Sequence, residues 1–412
     1  MRKMMDSGLD IVGQMPNEWN FVRLRYLCDI TTGDSDTQDA DPDGEYPFYV
    51  RSPIVERSTK FTFNGEGILM AGDGAGAGRV FHHAFGKYAV HQRVYRLYNF
   101  KVNSNFLFYY ISNLFPSVMD KGSAQSTVPS VRLPMLLNFE VCFPPLAEQK
   151  KIAVFLDEKC GEIDSIRSDV QHEIEILNDY KKSVITEAVT KGLNPKAKLK
   201  DSGIEWIGKI PDEWTIIPIN YLTKSRSGGT PDRNKSQYWE DGTIPWMASG
   251  EVNKFLVYDT KEKITELATR LSNAKIVPAN SVMVALNGQG KTKGMSAVLK
   301  IDAACNQSLC AFQCNPMRLS YMYLLYCFQS MYKFLRFQAG DDVRDSLAAS
   351  FVKKQRIPLP SLNEQNAITS FIDEKCSAID ATIADKQKQL ETLDEYKKSL
   401  IFEYVTGKKE VS

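Results

Sequence analysis

The chain contains the same pattern twice. A run near its start, Ser7-Gly8-Leu9-Asp10 with Gly13, Pro16, Glu18 and Trp19, recurs 195 positions later as Ser202-Gly203-Ile204-Glu205 with Gly208, Pro211, Glu213 and Trp214. A second match aligns residues 144–190 with 360–406 at an offset of 216 and holds 24 identities in 47 positions. A repeat of this length constrains architecture before any local reading, because each copy must close as a structural unit. The two offsets differ by 21, so the material between the matched segments changed length while the segments did not. Each copy is therefore a variable block followed by a constant segment.

The constant segments predict long helices. They open at Glu148-Gln149 and Glu364-Gln365, are rich in Glu, Lys, Ile and Leu, and the first is free of proline until Pro195. Leu156, Ile163, Val170, Leu177 and Val184 fall every seven residues, and Ile372, Ile379, Leu393 and Leu400 take the equivalent places, interrupted by Lys386. That spacing is a coiled-coil seam. About 40 residues at ~1.5 Å each make a rod of roughly 60 Å, which suits a spacer. Two such helices in one duplicated chain pair most simply as an antiparallel coiled coil about a pseudo-two-fold axis, with surface left over for other subunits.

The variable blocks read as mixed α/β. Residues 67–70 followed by Gly74 and Gly78, then 89–97, have the pattern of strands around a glycine turn, and residues 281–286 with Gly288, Gly290 and Gly294 repeat it. An aromatic-rich helix follows in each copy, 106–115 and 321–337, and core packing explains it better than a base-stacking platform. The organisation expected is a first variable domain over 1–146, a spacer helix over 147–191, a linker and start of the second copy over 192–214, a second variable domain over 215–362 and a second spacer helix over 363–406.

Several catalytic patterns are present only in degenerate form. The run from Ala285 to Gly290-Lys291-Thr292 imitates a phosphate loop, but Lys293 onward reads as another strand where a phosphate loop requires a helix N-terminus. Pro231-Asp232 with Asp259-Thr260-Lys261 is a loose nuclease-like pattern that the first copy lacks. Pro144-Pro145 lacks the flanking polar and aromatic residues of an amino-methyltransferase, and Gly72, Gly74, Gly76 and Gly78 alternate without forming a dinucleotide fingerprint. Eight cysteines without Cys-x-x-Cys spacing, beside four histidines, predict reduced thiols and no metal. The absence of a signal segment or a long apolar run predicts a cytoplasmic protein outside the membrane.

The charge pattern favours binding. The whole chain carries +1, yet residues 215–362 hold 19 Lys+Arg against 11 Asp+Glu, a local +8 suited to phosphates. The first block balances 12 against 12, but six acids crowd between Asp34 and Glu45 and leave its cations in basic company. A stand-alone methyltransferase or nuclease and a coiled-coil scaffold without DNA contact are the competing readings; the former needs a cofactor or metal site, and the latter predicts no salt-sensitive DNA association.

The two opening motifs and the runs Pro144 to Gln149, Asp157 to Lys159 and Ile163-Asp164, repeated at Pro360 to Gln365, Asp373 to Lys375 and Ile379-Asp380, resemble the specificity subunits of type I restriction-modification systems. The resemblance covers essentially the whole chain. It implies two tandem target-recognition domains, each reading one half of a bipartite site on double-stranded DNA, with the helices setting the gap. It further implies a non-catalytic chain without cofactor, acting with two methylation subunits and two restriction/translocation subunits that supply S-adenosylmethionine, ATP and Mg chemistry. The glycine loops and the segments before the helices would lie near DNA, at 74–87 and 122–132 and at 288–293 and 340–354. Arg79, Arg93 and Arg344 suit guanine edges; Lys87, Lys291, Lys293 and Lys353 suit phosphates; Lys121 and Arg132 complete the candidate set.

Overall fold

The computed structural model describes residues 2–122, 129–288, 290–338 and 346–411. The chain forms two compact units, one made of residues 1–171 with 387–412 and the other of residues 172–386. It crosses between them twice, and both crossings fall inside long helices, Leu146–Lys191 and Leu362–Val405.

In the first unit an antiparallel sheet runs in the order Asp29–Thr32, Val94–Tyr98, Gly67–Ala71, Phe81–Ala84. A second sheet joins Glu56–Ser58, Tyr46–Tyr49, Lys87–Val90 and Phe63–Asn64, with the middle pair parallel. Strand Gly67–Ala71 is buried on both faces, which explains why its sequence is continuously apolar instead of alternating. The aromatic helix Ser104–Gly122 inserts Phe106, Tyr110, Ile111 and Phe115 into the core against Leu156 and Ile163 of the first long helix and Leu400, Ile401 and Val405 of the second.

The second unit repeats this plan with a five-stranded sheet in the order Thr223–Ser227, Leu309–Cys314, Val282–Ala285, Ser296–Leu299, Leu256–Val257. Its aromatic segment differs from the expected single helix over 321–337. It divides into Tyr321–Ser330 and Tyr332–Gln338, because Met331 leaves helical geometry (φ −84°, ψ 5°) while its buried side chain stays in the core.

The constant motifs act as locks between domain and helix. The Gln149 side chain is buried, accepts a hydrogen bond from Asn103 N at 2.8 Å and donates to the Pro144 carbonyl at 2.8 Å. Gln365 repeats this, accepting from Ser320 N at 2.8 Å and donating to the carbonyls of Pro360 and Arg318 at 3.0 Å each. Each opening motif serves the end of a long helix. Gly407, at φ +73°, lies against Pro16 and Trp19, and Gly192, at φ +72°, lies against Trp214. In both places a left-handed residue just past the helix terminus needs glycine, and an added Cβ would meet the tryptophan ring. Lys408 then donates to the carbonyls of Val12 and Gln14, tying the end of the chain to its beginning.

The long helices run antiparallel in both units. In the first, Asp164 accepts from Lys397 at 2.7 Å and Arg167 reaches Asp394 at 2.7 Å; in the second, Lys181 reaches Asp380 at 2.6 Å and Lys386 pairs with Glu173. Exposed pairs of this kind are worth only about 0–1 kcal/mol each, so they fix register and direction more than stability. Lys386 interrupts the heptad in sequence, yet its ammonium finds a carboxylate across the helix pair. Leu156, Ile163, Val170, Ile372, Ile379 and Leu400 are buried, while Leu177, Val184 and Leu393 are half-buried. Ile152, Cys160, Ile174, Ile368 and Cys376 fill the intervening positions of the seam.

All eight cysteines are free thiols and seven are buried. Burial pushes the Cys305 thiol up to about 12, so it behaves as a small apolar side chain. Among the described residues no helix is long and apolar enough to cross a membrane, and no group of three or more His, Cys, Asp or Glu is placed to hold a metal ion.

Candidate nucleic-acid interface

The same structural device occurs once in each unit. In the first, strand Gly67–Ala71 turns back into Phe81–Ala84 through a glycine loop that closes with Gly78 N donating to the Ala71 carbonyl at 2.9 Å. Gly78 has φ +63°, and an added Cβ would stand 2.7 Å from Met119 Cγ, so only glycine closes the loop against the aromatic helix. In the second, Val282–Ala285 turns into Ser296–Leu299, and Gly294, at φ +84°, donates to the Ala285 carbonyl at 2.8 Å. The segment preceding each long helix is stitched to its loop: Val131 N donates to the Gly72 carbonyl at 2.7 Å and Leu347 N to the Leu286 carbonyl at 2.9 Å. Lys291-Thr292 therefore sits in a strand-to-strand turn, which is not the strand-to-helix turn of a phosphate loop.

The first loop carries a compact arginine cluster. Asp73, whose side chain is 19% exposed, accepts from Arg51 Nη1 at 2.9 Å on one oxygen and from Arg93 Nη1 at 2.5 Å on the other. Burial by itself raises the Asp73 carboxyl, but the hydrogen bonds from Arg93 and Arg51 outweigh it and hold the group below the usual carboxylate range. Beside them the buried His91 accepts from Arg93 N at its Nδ1 and sits below the usual imidazole range through burial and the Arg51 charge, so it is neutral at neutral pH. A cleft of about 390 Å³ lies here, lined by Arg51, Asp73, Gly74, Gly76 and His91 among others.

Arg79 stands on the same loop and pairs with Asp120 at 2.5 Å, both half-exposed or more. Arg132 is exposed and follows directly on Val131, so it stands by the loop as well. Lys87 does not. Gly67 pairs with Ala84 and Met70 with Phe81, which puts residues 85–87 at the opposite end of this sheet, roughly 13 Å of strand away. There its ammonium lies 4.8 Å from the Phe61 ring centre. Lys121 belongs to the aromatic helix, but its side chain lies outside the described residues. Sequence reasoning missed Arg51 and Asp73.

In the second unit Lys291 is exposed at the loop and borders a groove of about 660 Å³ that Lys182 and Lys333 also line. The loop is held from below: Tyr332 Oη donates to the Lys291 carbonyl at 2.7 Å and Arg336 to the Gly290 carbonyl at 2.7 Å. Lys293 departs from the expectation of a surface phosphate contact, since it is buried at 5% exposure. Two residues after Lys291, the turn has begun to re-enter the sheet and directs this side chain inward. Lys353 is half-buried on the short helix Ala349–Lys354, with its charge felt at Cys310. Arg344 lies outside the described residues.

Residues 16–175 and 211–392 match the family model described as "Type I restriction modification DNA specificity domain". The chain is 26% identical to the type I restriction enzyme MjaVIII specificity subunit of Methanocaldococcus jannaschii, over 96% of this chain and 94% of that one. It is also 26% identical to the EcoR124I/EcoR124II specificity subunit of Escherichia coli, over 62% and 64% of the two chains. Its fold resembles a chain solved in work on complex assembly and conformational transition of the type I R-M system, with a TM-score of 0.69 across 96% of this chain and 99% of that one at 16% identity. With two tandem copies of the DNA specificity domain spanning most of its length, the chain belongs to the type I restriction-modification specificity subunits.

Proposed function

We propose that the glycine-loop end of each unit reads one half of a bipartite target on double-stranded DNA, and that the paired helices set the gap between the halves. One observation carries the reading: both units close the same strand-to-strand loop with the same glycine-to-alanine hydrogen bond, stitch it to the segment before the long helix, and place exposed cations upon it. A duplicated reading head matches a split target. The chain itself performs no chemistry in this scheme. It delivers two methylation subunits and two restriction/translocation subunits to the site, and these carry S-adenosylmethionine, ATP and Mg. The complex works in the cytoplasm, where its DNA is.

Salt titration tests the phosphate half of this reading. Each phosphate neutralised by a lysine contributes roughly −0.9 to the slope of log K against log salt on duplex DNA. Lys291→Ala in the assembled complex is expected to reduce that slope by about one, equally for target and non-target duplexes. An unchanged slope removes Lys291 from the interface.

A further inference from the structure

Asp73 offers something that the other acids near these loops do not. Both of its oxygens are occupied, one by each of two arginines from different parts of the chain, and it is far less exposed than either: 19% against 42% for Arg51 and 61% for Arg93. Each arginine gives it only Nη1, so the Nε and Nη2 donors of both guanidinium groups have no protein partner among the described residues. The carboxylate is itself placed by backbone on both sides, since Asp73 bridges to Ser130 and its neighbours Gly72 and Gly74 accept from and donate to residues 131 and 129. Gly76 reinforces this: an added Cβ would stand 2.6 Å from the Arg51 carbonyl, so the glycine loop lets the two backbones come together.

Neither Arg79 nor Arg96 has such a mount. Arg79 meets Asp120 as an exposed surface pair. Arg96 is buried, donating to Tyr88 Oη at 2.8 Å and lying against the Phe63 and Tyr98 rings. A guanidinium whose inner edge is held by a fixed acid loses little conformational freedom when its outer edge engages a ligand, and that outer edge has the spacing of the O6 and N7 acceptors of guanine.

We propose that Asp73 is a positioning residue that presents Arg51 and Arg93 as a pair of guanine readers, so that the half-target of the first unit contains guanines at two positions. This rests on the reading of each glycine loop as a DNA-reading head. Arg51 and Arg93 supply the discrimination; Asp73 touches no base and acts by fixing the orientation of both.

The test uses the full chain co-expressed with a compatible methylation subunit, with methylated adenines mapped genome-wide for the parent and for Arg93→Lys, Arg51→Lys, Asp73→Asn and Asp73→Glu. Lysine keeps the charge and loses the fork. Each arginine variant is expected to lose on the order of ten- to hundredfold discrimination at one guanine of one half-target, with salt dependence and the other half-target unchanged. Asp73→Asn is expected to relax both guanines together, and Asp73→Glu to restore part of the loss. The unaffected half-target reports that each variant folds and assembles. The proposal is overturned if both lysine variants retain the parent motif, or if the positions relaxed are A·T pairs. It is also overturned if Asp73→Asn relaxes its whole half-target evenly, which is the mark of a loop anchor. A parent motif that is not split would instead defeat the reading on which the proposal rests.

Discussion

Replacing Gln365 with leucine is expected to destabilise the second unit by about 2–5 kcal/mol, and Gln149→Leu to do the same to the first. Leucine preserves the volume but leaves Ser320 N and the Pro360 carbonyl, or Asn103 N and the Pro144 carbonyl, without their partner at the junction of domain and helix. A buried backbone group left unsatisfied costs ~1–3 kcal/mol, and each substitution orphans two; Gln365→Leu also frees the carbonyl of the exposed Arg318, which water can reach. For units of this size that corresponds to a fall of roughly 5–20 °C in the melting temperature. The two glutamines share no partner, so their effects should add in the double variant. Urea unfolding checks this: a loss under about 1 kcal/mol for either variant would mean that the junction is not held by the glutamine.

Removing seven residues from both long helices is expected to shorten the gap in the DNA target by up to about three base pairs. The stretches to remove are residues 169–175, which follow the Arg167–Asp394 pair of the first unit in sequence, and residues 386–392, which begin at the Lys386–Glu173 pair of the second. Excising those two stretches removes one heptad from each helix, so the seam stays in phase. Seven residues at ~1.5 Å each are about 10 Å of helix, and duplex DNA rises ~3.4 Å per base pair. The bases of the two half-targets should stay as they were. An unchanged gap would show that the helices do not act as the ruler.

These predictions draw on features that differed in how visibly the sequence carried them. The repeat, the helices and the aromatic cores were legible because their signals are local and periodic: Leu156, Ile163 and Val170 recur at seven, and Phe106, Tyr110 and Phe115 sit on one helix. Gln149 and Gln365 were visible as motif letters, but not as locks, since their partners at Asn103 and Ser320 lie about 46 and 45 residues away. The arginine cluster was half legible. Arg93 stood out by charge, whereas Asp73 looked like one more polar residue among glycines and Arg51 had no neighbour in sequence to mark it. The lysines show the limit of reading by proximity: Lys87 follows the loop by nine residues, yet the intervening strand carries it to the far end of the sheet, and Lys293 is turned inward although Lys291 is exposed.

The proposal that each unit reads DNA by its own glycine-loop end predicts a target in two parts, and genome-wide mapping of methylated adenines after co-expression of the chain with a compatible methylation subunit examines that directly. The result predicted is a single split motif whose halves are separated by a gap of constant length and indifferent sequence. A continuous motif would contradict the two-headed reading, and an intact purified complex that leaves no adenine methylated would contradict target recognition by this chain altogether.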